Sequence, residues 1–310
     1  MSSCVSDLDI RYMKTVENLT QFDEQFSNRS TIALDLGGQA MASVIDVDPG
    51  IFKPQENADI PILIAPGFLV SPDRLKDPVR ELWLADRRVI AVQHPKHIVH
   101  GLENNIINKG NIVATKLNRI ELNRAASLLK AIDEKAVDQV DVIGISEGGI
   151  NATFLALLRP DRVRTLTLIN SAGIGGESFS HLVSFFMQRT IKELAETTIN
   201  PKRKEALASR APLLHYASNP LSRLRSLRAM SQCRIDTLFE TIENSGVAVG
   251  ILKTSTDAIY PEKIERPYID TNIVSSYKVL DHPKSGHSPL YSLPQQTVEL
   301  VLNMQKDMLA

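Results

Sequence analysis

The stretch VIGISEGGINATFLALL, residues 142–158, decides how the chain is read. Val142, Ile143, Gly144 and Ile145 read as the end of a buried strand, and Asn151 to Leu158 as a helix. Ser146 sits at the joint, in the pattern Gly144-Ile145-Ser146-Glu147-Gly148. A sharp strand-to-helix turn strains the residue at its apex and needs small neighbours, so that nothing collides with it. A serine held there projects its hydroxyl from the sheet edge. The N–H groups at the helix start point toward that hydroxyl, where they stabilise negative charge.

Outward from this joint, strand-like and helix-like runs alternate. Thr31–Leu36 and Met41–Asp48 flank Gly37-Gly38 and read as a hairpin. Pro61–Ala65, Arg88–Val92, Gln139–Ile145, Val163–Ile169, Gly246–Leu252 and Ser276–Leu280 are short apolar strands. Asp73–Leu84, Asn111–Lys135 and Gln295–Met308 are helix-periodic. Such alternation predicts an α/β fold, with a mostly parallel sheet covered by helices on both faces. From about Gly173 to Ser245 every periodic segment looks helical. The expected organisation is an N-terminal arm (1–30), a core (31–172 and 246–310) and a helical insertion (173–245).

Composition bounds the partners. The chain has 310 residues, 43% hydrophobic and 23% charged, values of an ordinary soluble globular protein. A net charge of −1 gives no electrostatic argument for nucleic acid or a membrane surface. No segment is apolar for long enough to span a bilayer, and no secretory signal is expected from the polar opening residues. Cys4 and Cys233 lie far apart, which argues against a disulfide framework and fits a cytoplasmic protein. Nothing in the composition sets the oligomeric state.

A serine is a poor nucleophile at neutral pH and needs a base oriented by a carboxylate. Downstream of Ser146, Asp257 follows the strand GVAVGIL and His287 follows the strand SSYKVL. Both lie just past strand ends, where catalytic groups collect in open α/β sheets. His282 is a nearer rival to His287, but Gly286 gives the later loop room.

The elbow Gly144 to Gly149, the acid loop Asp257-Ala258-Ile259-Tyr260-Pro261 and Gly286-His287-Ser288-Pro289 together resemble a serine α/β-hydrolase. The resemblance runs from about residue 31 to the end, except for the insertion, which sits where the family carries a variable lid. It implies Ser146 as nucleophile, Asp257 as acid and His287 as base. It implies an oxyanion hole from the backbone N–H groups of Glu147 and Phe68. It implies hydrolysis of a small, partly apolar carboxylic ester, with neither cofactor nor metal. Two departures stand out: Pro66-Gly67 where the family often has His-Gly, and QHPKHIVHGLENN where it often has Asp-x-x-Gly-x-Gly. The stretch LINSAGIGGES resembles the lid entry of carbon–carbon bond hydrolases, which usually carry a tryptophan after the base; here Ser288 follows it. A thioesterase, a lactonase or a non-catalytic receptor on the same fold are further alternatives.

Other features have blander readings. His94, His97 and His100 could suggest a metal, but the expectation is a polar loop. The arginines and lysines of the insertion read as a solvated surface. Phe185 and Phe186 are expected to pack in the lid and line the substrate pocket. Glu147 is expected to point into the first turn of its helix, where a carboxylate is favourable.

Overall fold

The computed structural model describes residues 19–34, 40–50, 60–68, 70–94, 99, 101–106, 117–199 and 220–310. Most of the expected arm, Gly37-Gly38, His97, His100, Ile112 and residues 200–219 of the insertion lie outside the described residues. So do Cys4, Lys202, Arg203, Lys204 and Arg210.

The described strands are β1 (Ser30–Ala33), β2 (Met41–Val47), β3 (Ile62–Ala65), β4 (Val89–Gln93), β5 (Val140–Ile145), β6 (Val163–Ile169), β7 (Ala248–Thr254) and β8 (Ser276–Leu280). They form one sheet in the order β1-β2-β4-β3-β5-β6-β7-β8. β2 runs antiparallel to β1 and β4, and every later pairing is parallel. The helices used below are α1 (Lys76–Leu84), α2 (Arg119–Glu134), α3 (Glu147–Leu158), α4 (Phe179–Ile199), α5 (Pro220–Ser231), α6 (Phe239–Asn244) and α7 (Pro294–Leu309).

The pleat sends alternate side chains to opposite faces. Ile62 and Ile64 of β3 therefore join one cluster, with Val79 and Leu82 of α1 and Val298 and Val301 of α7. Leu63 and Ala65 join the other, with Leu128 of α2 and Phe154 and Leu155 of α3. Both faces are covered, which is why the parallel strands read as continuous apolar runs.

Two expected boundaries move. The helix predicted from Asn111 is described only from Arg119. Asn118 stays extended there (φ −65°, ψ 126°), and its side chain accepts from the Ile120 N–H at 2.9 Å, a helix cap. The strand predicted at 246–252 lies at Ala248–Thr254 instead. Gly246 adopts φ 89° and its N–H donates to the Glu243 carbonyl at 2.9 Å, so it closes α6 rather than opening a strand. The described part of 173–245 is helical, as α4, α5, a turn at Ile235–Leu238 and α6. Phe239 and Ile242 of α6 lie in the main core beside Val249 and Ile251 of β7.

Candidate active site

Parallel strands end on the same edge of a sheet, so the loops after β5, β7 and β8 meet there. Ser146 follows β5 with φ 53° and ψ −124°, a region non-glycine residues avoid. Holding it there costs on the order of 1–3 kcal/mol, which its surroundings must offset. Its N–H donates to the Ile169 carbonyl at 3.1 Å, and its own carbonyl accepts from Gly149 and Ala172, each at 3.0 Å. The glycines answer to sterics. A methyl group on Gly148 would lie 2.0 Å from the Ala65 carbonyl oxygen. One on Gly67 would lie 3.1 Å from Ser146 Cβ. The Pro66-Gly67-Phe68 loop after β3 thus passes directly beside the serine, bringing the segments of Phe68 and Glu147 together.

The second half of the site is a hydrogen-bonded pair. His287 Nδ1 lies 3.1 and 3.0 Å from the two Asp257 carboxylate oxygens. Asp257 Oδ1 also accepts from the N–H groups of Ile259 (2.8 Å) and Tyr260 (3.1 Å). Burial works against the Asp257 charge, but the His287 hydrogen bond and charge, Lys253 and the Tyr260 N–H outweigh it, and its pKa falls below the ordinary value. An ionised carboxylate only accepts, so His287 carries its proton on Nδ1, and Nε2 is left as an acceptor. His282, the rival, uses its Nδ1 to accept from the Lys284 N–H at 3.1 Å.

Two residues that sequence reasoning missed complete the arrangement. Asn170, left-handed at φ 42°, donates from Nδ2 to the Thr254 hydroxyl and the His287 carbonyl, both at 2.9 Å. It ties the end of β6 to the loops of both partners. The other is Tyr260. Its buried ring meets the His287 ring edge-on at 5.1 Å, and its hydroxyl donates to the Met230 sulfur of α5 at 3.3 Å. Among the described residues no hydrogen bond joins Ser146 to His287 directly. Such catalytic contacts often tighten only when substrate is bound.

No family profile and no curated protein matches the sequence. Solved structures do. The chain is similar to an esterase from Exiguobacterium antarcticum at 15% identity, over 89% of this chain and 99% of that one, with a TM-score of 0.62. It is similar to a bromoperoxidase from Bacillus anthracis at 12% identity, over 90% and 100%, with a TM-score of 0.61. An alpha/beta hydrolase fold protein from Chitinophaga pinensis shares 15% identity over 89% and 97%, with a TM-score of 0.59. The chain has the α/β-hydrolase fold. An esterase and a bromoperoxidase among its neighbours show that this fold alone does not settle the chemistry.

Within this hydrolase fold the elbow is backed by buried charge. Glu147 does not simply face the first turn of α3. Its carboxylate accepts from Arg124 of α2, which also donates to Glu121 and to the Ser226 hydroxyl of α5, each at 3.0 Å. Two carboxylates thus share one guanidinium, and Arg223 of α5 adds a second positive charge near Glu147. Burial raises the pKa of Glu121, the Glu147 charge adds to it, and Arg124 opposes both. An unfolded glutamate titrates near roughly 4.3. Between that value and its raised folded pKa, the folded protein holds the extra proton, so stability falls as pH rises through that window. The slope is at most about 1.4 kcal/mol per pH unit. Glu121→Gln is expected to flatten it, as measured by denaturant unfolding at a series of pH values.

The segment between β6 and β7 reaches the site through aromatic contacts. Phe186 of α4 meets Phe68 edge-on at 5.4 Å, and Phe185 meets Phe186 at 5.8 Å. The Arg223 guanidinium stands 5.6 Å from the centre of the Phe68 ring, so this arginine is not part of a purely solvated face. Arg225 and Arg228 are exposed. His94 accepts a different role from a metal ligand: its Nδ1 lies 2.7 Å from the Ser127 hydroxyl, while burial and Arg124 hold its pKa down at about 3. Among the described residues no group of three or more His, Cys, Asp or Glu could hold a metal ion, and no helix is long and apolar enough to cross a membrane.

Proposed function

We propose that this protein is a serine hydrolase that cleaves a small, partly apolar carboxylic ester through an acyl-enzyme, with Ser146 as nucleophile, His287 as base and Asp257 as the orienting acid. The observation that carries this reading is that the strained serine at the end of β5 lies on the same sheet edge as a hydrogen-bonded histidine–carboxylate pair, His287 Nδ1 standing 3.0 Å from Asp257. His287 Nε2 takes the Ser146 proton as Oγ attacks the carbonyl carbon. The backbone N–H groups of Glu147 and Phe68 stabilise the oxyanion. His287 returns the proton to the leaving alcohol, and water repeats the attack on the acyl-enzyme. Ionised Asp257 favours the imidazolium that forms. The esterase neighbour is consistent with this chemistry. A cytoplasmic location is part of the same reading.

Fluorophosphonate labelling tests it. The wild-type protein is expected to be labelled at Ser146 and to hydrolyse chromogenic esters. An intact protein with neither property would instead be a non-catalytic receptor on this fold.

The 173–245 segment acts as a lid in this reading, and Phe185 and Phe186 shape the acyl pocket. Replacing both by alanine is expected to shift the preference between short- and long-chain esters by about 10- to 100-fold, compared as kcat/KM. A uniform loss of stability with unchanged preference would make them ordinary packing.

A further inference from the structure

Two consecutive residues at the tip of β6 bond to the segments that carry all three proposed triad members. The Ile169 carbonyl accepts the Ser146 N–H at 3.1 Å. The Asn170 side chain, fully buried, reaches the other two segments. Its Oδ1 accepts at 3.0 Å from the N–H of Thr254, the last residue of β7 and three before Asp257. Its Nδ2 donates to the Thr254 hydroxyl and the His287 carbonyl, both at 2.9 Å, and more weakly to the Gly286 carbonyl at 3.3 Å. The Thr254 hydroxyl in turn donates to the Gly286 carbonyl at 2.5 Å. An amide has one acceptor oxygen and two N–H donors, so this site uses both ends and fixes which end is which. Leaving a buried polar group unpaired is costly, so the amide has one geometry here. Asparagine also suits the backbone, since a φ of 42° is a left-handed conformation that it tolerates better than most side chains.

We propose that Asn170 is a positioning residue for the reaction: its amide sets the His287 loop against the Asp257 loop, and the adjoining Ile169 carbonyl sets both against Ser146. This rests on the serine-hydrolase reading. Asn170 touches no reacting atom; it acts through the main chain that carries the base. The imidazole must keep Nδ1 on Asp257, at 3.0 and 3.1 Å, while Nε2 serves the serine oxygen. Gly286, just before it, has φ 56° and open space where a side chain would stand. Packing therefore does not fix this backbone, and hydrogen bonds must. On its N–H side Gly286 is held by the Thr256 hydroxyl at 2.8 Å. On the carbonyl side the loop is held by Asn170 and Thr254. Without the amide the His287 carbonyl loses its donor, and the ring samples orientations of which few are reactive. A displacement on the order of 1 Å at a reacting group costs about 100-fold in rate.

The experiment compares wild type with Asn170→Gly and Asn170→Asp. Each protein is titrated to completion with a fluorophosphonate, so that kcat for a short-chain chromogenic ester is expressed per reactive site and unfolded protein does not count. Glycine removes the amide while easing the left-handed φ. Aspartate keeps the shape and Oδ1 but sets an acceptor against two carbonyls. Both are expected to lower kcat per site by roughly 100-fold, with KM within about threefold. The low-field proton NMR signal of the His287 Nδ1–H, held by Asp257, should broaden or vanish in both. A normal kcat per site in Asn170→Gly, whatever its stability, or a signal unchanged in both variants, would overturn the assignment. If neither variant folds, Thr254 decides. Thr254→Val removes the hydroxyl between Asn170 and Gly286, and Thr254→Ser keeps it. Valine should cost about tenfold more in kcat than serine; equal rates would overturn the proposal. A wild-type protein that fails to label at Ser146 would remove the serine-hydrolase reading, and this inference with it; labelled wild type with an unimpaired Asn170→Gly would remove this inference only.

Discussion

Ser146→Ala is expected to abolish ester turnover, a loss on the order of 10⁴- to 10⁶-fold, in a protein that remains folded. The size follows from the role proposed. Without Oγ no acyl-enzyme forms, and the backbone donors and the pocket alone give only a small residual rate over water. The folded state should persist because the elbow is held by its backbone: the N–H of Ser146 on the Ile169 carbonyl, and its carbonyl on Gly149 and Ala172. The strained φ of 53° is a cost that alanine shares and glycine does not. Ser146→Gly should therefore be equally inactive yet more stable than Ser146→Ala, by about 1–3 kcal/mol in denaturant unfolding. Normal turnover in a clean Ser146→Ala preparation would sink the nucleophile assignment. Equal stability of the two variants would show that the elbow stores no strain.

Asp257→Asn is expected to lower kcat by about 10⁴-fold with little change in fold. The amide keeps an oxygen for the N–H groups of Ile259 and Tyr260, which Oδ1 accepts at 2.8 and 3.1 Å. Its nitrogen, however, is a donor. Placed against His287 Nδ1 it demands an acceptor there, so the ring proton shifts to Nε2 and the base is blocked. His287→Ala removes the base outright and should cost a similar amount. The effects should not add, because both variants disable one proton transfer; the Asp257→Asn, His287→Ala double variant should resemble the worse single one. Near-normal activity in Asp257→Asn would place the orienting acid elsewhere.

The elbow, both loop partners and the strand–helix alternation are legible in the sequence because each depends on neighbours a few residues away. β6 and β8 fall at Val163–Ile169 and Ser276–Leu280, as their apolar runs predict. The glycines around Ser146 announce a tight turn whatever the rest of the chain does. Other features belong to tertiary structure. Arg124 meets Glu147 across 23 residues, Tyr260 meets Met230 across 30, and Asn170 meets His287 across 117. Nothing periodic marks these partners. Tyr260 reads as one more apolar residue of a loop, Asn170 as a turn residue, and Glu147 as a helix-start carboxylate. By itself the sequence determined which segments are strands and which residue stands at the turn, because backbone sterics and side-chain alternation act locally. Only the folded sheet decided that Tyr260 would pack against His287, and that Glu147 would share Arg124 with Glu121. Those contacts depend on the order in which β3, β5, β6, β7 and β8 lie side by side, and that order is set by how the helices cover the two faces.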